Sequence, residues 1–185
     1  MILPELKLPS RVNQRWDFSG MDSIERCANK HHFRCYPHPV EYCYNSRGFR
    51  DQEWPSNMEE LKQAVWCVGD SYTVGIGSPL MHTWPMQLAE LSQRRTINVS
   101  MDGASNEWIA RTVTNIIDTV DPANIVIMWS FTHRRENTDT TLSDEDRRMS
   151  MVPENLIDEY CDVDWENFVQ CQQRVQADST NIQFA

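Results

Sequence analysis

Three short strand-like segments, separated by stretches of helical periodicity, constrain this chain more than any other feature. AVWCVG (64–69) and ANIVIMWSF (123–131) are apolar runs, and TINVSM (96–101) between them is a second strand candidate. A strand with one wet face alternates apolar and polar residues; a strand apolar throughout is buried on both faces, as in a parallel sheet. Between the second and third runs, SNEWIARTVTNIIDTV (105–120) sets Trp108, Ile109, Val113, Ile116, Ile117 and Val120 at helical spacing, with Ser105 as the cap. Between the first and second, TWPMQLAELSQRR (83–95) carries apolar residues at 84, 88 and 91 and a basic end, and also reads as a helix. Strand, helix, strand, helix, strand is the order of an α/β domain with a parallel sheet.

Ahead of this region, residues 1–55 show little periodicity and many aromatics and prolines, and read as a loop-rich arm that wraps the core. The α/β domain spans 56–185. It begins with SNMEELKQ (56–63), a short helix with Ser56 as N-cap and Glu59 three residues on. After the third strand, TDTTLSDEDRR (138–148) reads as a polar, acidic loop. PENLIDEYCDVDWENFVQCQQRVQ (153–176) reads as one or two helices, and the terminal NIQFA could begin a fourth strand.

The 17 Lys and Arg against 27 Asp and Glu give a net charge of −10, which repels phosphate backbones and argues against nucleic acid as a partner. No apolar run approaches the roughly 20 residues needed to span a bilayer, and the amino terminus lacks a signal-peptide pattern. The expectation is a soluble, cytoplasmic protein without membrane partners or cofactors. Its six cysteines then read as reduced thiols. One cluster stands apart: Cys27, His31, His32, Cys35, His38 and Cys43 fall within seventeen residues. These are zinc-ligand types, but the cysteines lie eight apart where zinc sites space them two to four, so ordinary thiols are the favoured reading over zinc. The tryptophans at 54, 66, 84, 108, 129 and 165 suggest either packing or an aromatic sugar groove. Packing is favoured, because Trp66 and Trp129 lie in expected strands.

The first strand runs into Gly69-Asp70-Ser71, with Gly75 and Gly77 following. Sites in open parallel sheets form at the carboxyl ends of the strands. Ser71, two residues past the strand, is therefore either an exposed nucleophile beside backbone amides or, with Asp70, merely a helix N-cap.

VGDSYTVGIG (68–77) resembles the serine block of the SGNH, or GDSL-type, esterases and lipases. Upstream, YNSRGFRDQEWP (44–55) resembles the N-s-x-G-f-R-d lead-in of one branch. Downstream, INVSMDGASNEW (97–108) resembles the second block and DPANIVIMWSFTHRRE (121–136) the strand leading to the third. Together these cover about residues 44–136 in the family's order. The resemblance implies a three-layer α/β/α sandwich with a flavodoxin-like sheet and a serine ester or acyl hydrolase acting on a small molecule. Ser71 would be the nucleophile, and the Ser71 and Gly103 amides would be oxyanion donors. His133 falls where the family has its third donor, an Asn, and Arg134 where it has an Asp; a histidine can donate one such hydrogen bond, or be a polar loop residue.

The family's base lies in a late Asp-x-x-His motif, and no histidine follows His133 here. The last strand, closing helix and catalytic His/Asp are thus expected to be missing. Without a base a serine hydroxyl is a poor nucleophile at neutral pH. Three explanations compete. The chain has lost activity and serves as a binding or structural subunit; a second copy or a complementing chain fills the open sheet edge; or His31, His32, His38, His82 or His133 substitutes as base. Arg134 and Arg135 could hold a substrate carboxylate or phosphate, or pair with Asp102 or Glu107.

Overall fold

In the arm, β1 (Arg15–Trp16) runs antiparallel to β2 (Tyr42–Cys43). The computed structural model describes residues 6–16, 40–136, 141, 150–151 and 157–177, with the backbone alone at 16, 150–151 and 157–163. Helix α1 (Met58–Gln63) leads to β3 (Val65–Gly69), and the one-turn helix α2 (Ser71–Val74) follows directly. Then come α3 (Trp84–Ser92), β4 (Thr96–Ser100), α4 (Asn106–Val120) and β5 (Asn124–Ile127). A short antiparallel pair, β6 (Arg134–Arg135) with β7 (Ser150–Met151), precedes α5 (Ile157–Ala177).

The expected α/β class with a parallel sheet is what forms. The three-stranded parallel sheet has the order β4-β3-β5, with the first strand in the middle, as in doubly wound sheets. Trp66 pairs with Ile97 on one side and Ile125 on the other; Val68 pairs with Val99 and Ile127. Those residues, with Met101 and Trp129, share the face that meets Trp108, Ile109, Val113 and Ile116 of α4 and Cys171 and Val175 of α5. Each fully buried aliphatic side chain here contributes about 1.5–3 kcal/mol relative to exposure. The opposite face is more polar and closer to the serine loop. There Thr96 donates to the Pro85 carbonyl at 3.0 Å and the Asn98 amide donates to the Thr73 carbonyl at 2.9 Å, tying α2 and α3 to β4.

The arm contributes to the core: Leu6, Leu8 and Phe49 are buried in it, and Phe49 stacks on Trp54 at 5.3 Å. Asn45 folds its turn, accepting from the amides of Arg47 and Phe49 and donating to the Gln52 carbonyl. Most of the tryptophan set is packing, since Trp66 and Trp108 are buried and Trp54 and Trp129 pack against the same cluster.

Several element boundaries differ from expectation. Asn57, not Ser56, caps α1, accepting from the Glu60 amide at 2.8 Å. Helix α3 stops at Ser92 because Gln93 turns left-handed (φ 55°), so the basic end lies outside it and Arg95 is free to pair with Asp51. Ser105 does cap α4, accepting from the Trp108 amide, and residues 157–177 form one helix. The third strand is shorter than its apolar run and lies at the sheet edge among the described residues. Val126 and Met128, on the face away from α4, stay 40% and 37% exposed. Apart from Thr141, TDTTLSDEDRR lies outside the described residues, as does NIQFA. No helix among the described residues is long and apolar enough to cross a membrane.

Candidate functional site

Ser71 stands where the central strand stops, at the point where the connections diverge to β4 on one side and β5 on the other. The first turn of α2 sits directly on the strand end. A Cβ at Gly69 would fall 2.1 Å from Thr73 Oγ1 and 2.9 Å from the Met128 carbonyl, so only glycine permits the approach. Asp70 is the N-cap: its Oδ1 accepts from the Tyr72 amide at 3.0 Å, and its carbonyl accepts from Thr73 and Val74. The capping role therefore falls on Asp70, and Ser71 takes the first helical position with its hydroxyl unused for the cap. Ser71 is half-buried, and among the described residues no group hydrogen-bonds to its Oγ.

The other oxygen of Asp70 anchors the far side of the site. Asp70 is 1% exposed; its Oδ2 accepts from Ser130 Oγ at 2.9 Å and from Arg134 Nη1 at 2.8 Å, and Arg134 also donates to Ser130 Oγ. A buried carboxylate without such donors would be costly; here three satisfy it. This answers the pairing alternatives for the two arginines. Arg134 pairs with Asp70 rather than with Asp102, and Arg135 pairs with Glu107 at 2.8 Å and Asp164 at 3.2 Å.

Gly103 lies in the turn after β4 with φ 75°, buried, three residues past Ser100. Since Ser100 is in register with Gly69, and the Met101 amide donates to the Gly69 carbonyl at 3.2 Å, Gly103 and Ser71 lie at the carboxyl edge of adjacent strands. Among the described residues neither the Ser71 amide nor the Gly103 amide donates to another group.

His133 is not joined to the serine by any hydrogen bond among the described residues. Its ring stacks on Phe131 at 5.6 Å and 29°, and Phe131 in turn lies 6.4 Å from Tyr72, with the Arg134 guanidinium 4.8 Å over its ring. The histidine thus reaches the serine turn through two aromatic rings. Tyr72 and Phe131 are 64% and 47% exposed. His82 is exposed in the single turn Leu80–His82 ahead of α3. His31, His32, His38, Cys27 and Cys35 lie outside the described residues. Cys43, the one described member of that cluster, is exposed, with its thiol toward Glu41. No cluster of three metal-ligating side chains occurs among the described residues.

Two residues that brace the turns and strands behind the site were not among the site residues expected from the sequence. Asn106 grips the turn after β5, accepting from the Ser130 amide at 2.8 Å and donating to the Ser130 and Phe131 carbonyls. Asp51 is held by Arg95 through both carboxylate oxygens, at 3.0 and 2.9 Å, and accepts from the Asn98 amide in β4. Burial raises the Asp51 carboxyl to about 6 against the pull of those donors. The signal that could have found Asp51 is its position: an ionisable pair, Arg50-Asp51, directly after a core-forming Phe49. In comparisons with known proteins, no family model matches the chain, and no curated protein or solved structure matches it.

Proposed function

We propose that the chain is a serine hydrolase of the ester or acyl class, of the SGNH type that its serine block resembles. The observation that carries this reading is a half-buried serine hydroxyl, left out of the helix cap by Asp70, at the carboxyl end of the central strand beside two uncommitted backbone amides. In the proposed reaction Ser71 Oγ attacks the carbonyl carbon of a small ester and passes its proton to a base. The carbonyl oxygen becomes an oxyanion facing the Ser71 and Gly103 amides, with His133 as a third donor. Collapse expels the alcohol, which takes up that proton, and water hydrolyses the acyl-enzyme by the same route. The base is a histidine: His82 is the described candidate, or His133 where it gives up the donor role.

A specific observation supports a second reading. Among the described residues nothing accepts a proton from Ser71, and β5 leaves one edge of the sheet open with Val126 and Met128 exposed. A degenerate SGNH-like subunit, pairing through that edge with another chain, would have these features. Oxyanion donors alone leave only about 10³–10⁴-fold catalysis over water.

The test is intact-mass analysis after treatment with a fluorophosphonate, comparing the wild-type chain with Ser71→Ala. One adduct, lost in Ser71→Ala, is expected. A folded wild-type chain that takes no adduct refutes the hydrolase reading and leaves the subunit reading.

A further inference from the structure

The lead-in before the serine strand contains a buried cation that reaches both the loop after Ser71 and the arm itself. Arg50 is 1% exposed. Its Nη1 donates to the carbonyls of Val74 at 3.1 Å and Gly75 at 2.6 Å, and its Nη2 donates to those of Ser78 and Glu41, both at 2.9 Å. The guanidinium lies 4.2 Å from the Tyr42 ring. The Tyr42 hydroxyl, also buried, accepts from the Gly77 amide at 2.8 Å. The arm therefore holds three carbonyls and one amide of the stretch 74–78 beyond Ser71.

The geometry explains why that stretch takes this path. Val74 and Gly75 end α2, and their carbonyls have no helical partner, so a cation at this end satisfies them and complements the helix dipole. Gly75 turns left-handed (φ 76°) to aim its carbonyl at the same guanidinium, while its amide still closes the turn onto the Ser71 carbonyl at 2.9 Å. A planar fork with several donors can reach three carbonyls of one loop at once. A lysine ammonium on a single stem cannot span them.

We propose that Arg50 is the positioning residue for Ser71: it fixes the carboxyl end of the one-turn helix whose first residue is the serine, and so sets where the hydroxyl points. A four-residue helix has too few internal hydrogen bonds to hold its own axis, so its direction is decided by what grips its two ends. Asp70 grips the first and Arg50, backed by Tyr42, the second. The catalytic consequence rests on the hydrolase reading above; the anchoring does not.

The test measures both on the full chain with Arg50→Lys, Arg50→Met and the milder Tyr42→Phe. Amide hydrogen exchange reads the anchoring. The Gly75, Ile76, Gly77 and Ser78 amides are all hydrogen-bonded, and the amides of Cys67 and Val99 in the sheet serve as the internal standard. Arg50→Lys should speed exchange at 75–78 by tenfold or more beyond any change in the strands. Arg50→Met should do so at least as much, and Tyr42→Phe chiefly at Gly77. The rate of fluorophosphonate labelling at Ser71 should fall at least tenfold in both Arg50 variants at equal folded fraction, with Lys the less impaired. Exchange at 75–78 that rises no more than in the strands overturns the anchoring. Loosened exchange with an unchanged labelling rate overturns the positioning role. A wild-type chain that never labels refutes the hydrolase reading instead and confines Arg50 to anchoring, which the exchange ratios decide alone. Should Arg50→Met fail to fold, Arg50→Lys, which keeps the buried charge, decides by its exchange at 75–78 relative to the strands.

Discussion

Replacing Asp51 by Asn should change how stability depends on pH, and the structure gives the size and sign. The carboxyl is 2% exposed while its partner Arg95 remains 28% exposed, so burial costs the anion more than the ion pair returns, and the group titrates near 6 instead of its ordinary 3.8. Because the folded value is raised, the unfolded chain gives up this proton first as pH rises. The carboxyl therefore favours the folded state fully below about pH 4, and that contribution is lost as pH climbs through about 6. A shift of roughly two units corresponds to about 3 kcal/mol at about 1.4 kcal/mol per unit, of which about 2 kcal/mol falls between about pH 4 and pH 7. Asn keeps the size and the acceptor for the Asn98 amide and cannot ionise. Urea unfolding of wild type and Asp51→Asn across that range removes the titration of every other carboxylate by difference. The variant should gain about 2 kcal/mol of stability relative to wild type between about pH 4 and neutral pH. A difference that stays flat, or that moves against Asn as pH rises, would show that the Arg95 pair outweighs burial and would refute the reasoning.

Two further outcomes probe the same scaffold. Arg134→Met removes the cation from buried Asp70 and should destabilise the fold by about 2–3 kcal/mol, less than the about 3–5 kcal/mol of a fully buried pair because Arg134 keeps 16% of its side chain exposed; urea unfolding reads it, and a loss under about 0.5 kcal/mol contradicts the assigned pairing. On β5, Ile127→Glu should abolish or severely weaken folding because Ile127 faces the α4 side, whereas Val126→Glu on the open face should cost less than about 1 kcal/mol; equal losses in the two variants would contradict the register.

The fold class was legible because three strand-like segments alternate with stretches of helical periodicity, although only AVWCVG is both apolar and buried throughout: TINVSM alternates Ile97 and Val99 with Thr96, Asn98 and Ser100, and β5 stays half exposed. The cap at Ser105 was legible for a similar local reason, since an orphan amide at a helix start needs a short oxygen-bearing side chain. Ser71 could be singled out, yet its state could not. Serine and aspartate both cap helices, and only the folded chain assigns the cap to Asp70 and leaves the hydroxyl unused. The end of α3 was missed because nothing short of backbone geometry marks Gln93 as left-handed.

What the sequence determined by itself were the properties that nearest neighbours along the chain decide: strand and helix periodicity, their alternation, the net charge, and the position of Gly-Asp-Ser at a strand end. Only the tertiary structure decided the partners of the charged groups. Arg134 meets Asp70 across 64 residues, Arg95 meets Asp51 across 44, and Arg50 reaches the carbonyls of the serine loop across 24 to 28. An arginine's long stem and several donors leave its choice of partner open in the sequence. The choice closes only when the sheet order and the arm's path bring one acceptor within about 3 Å.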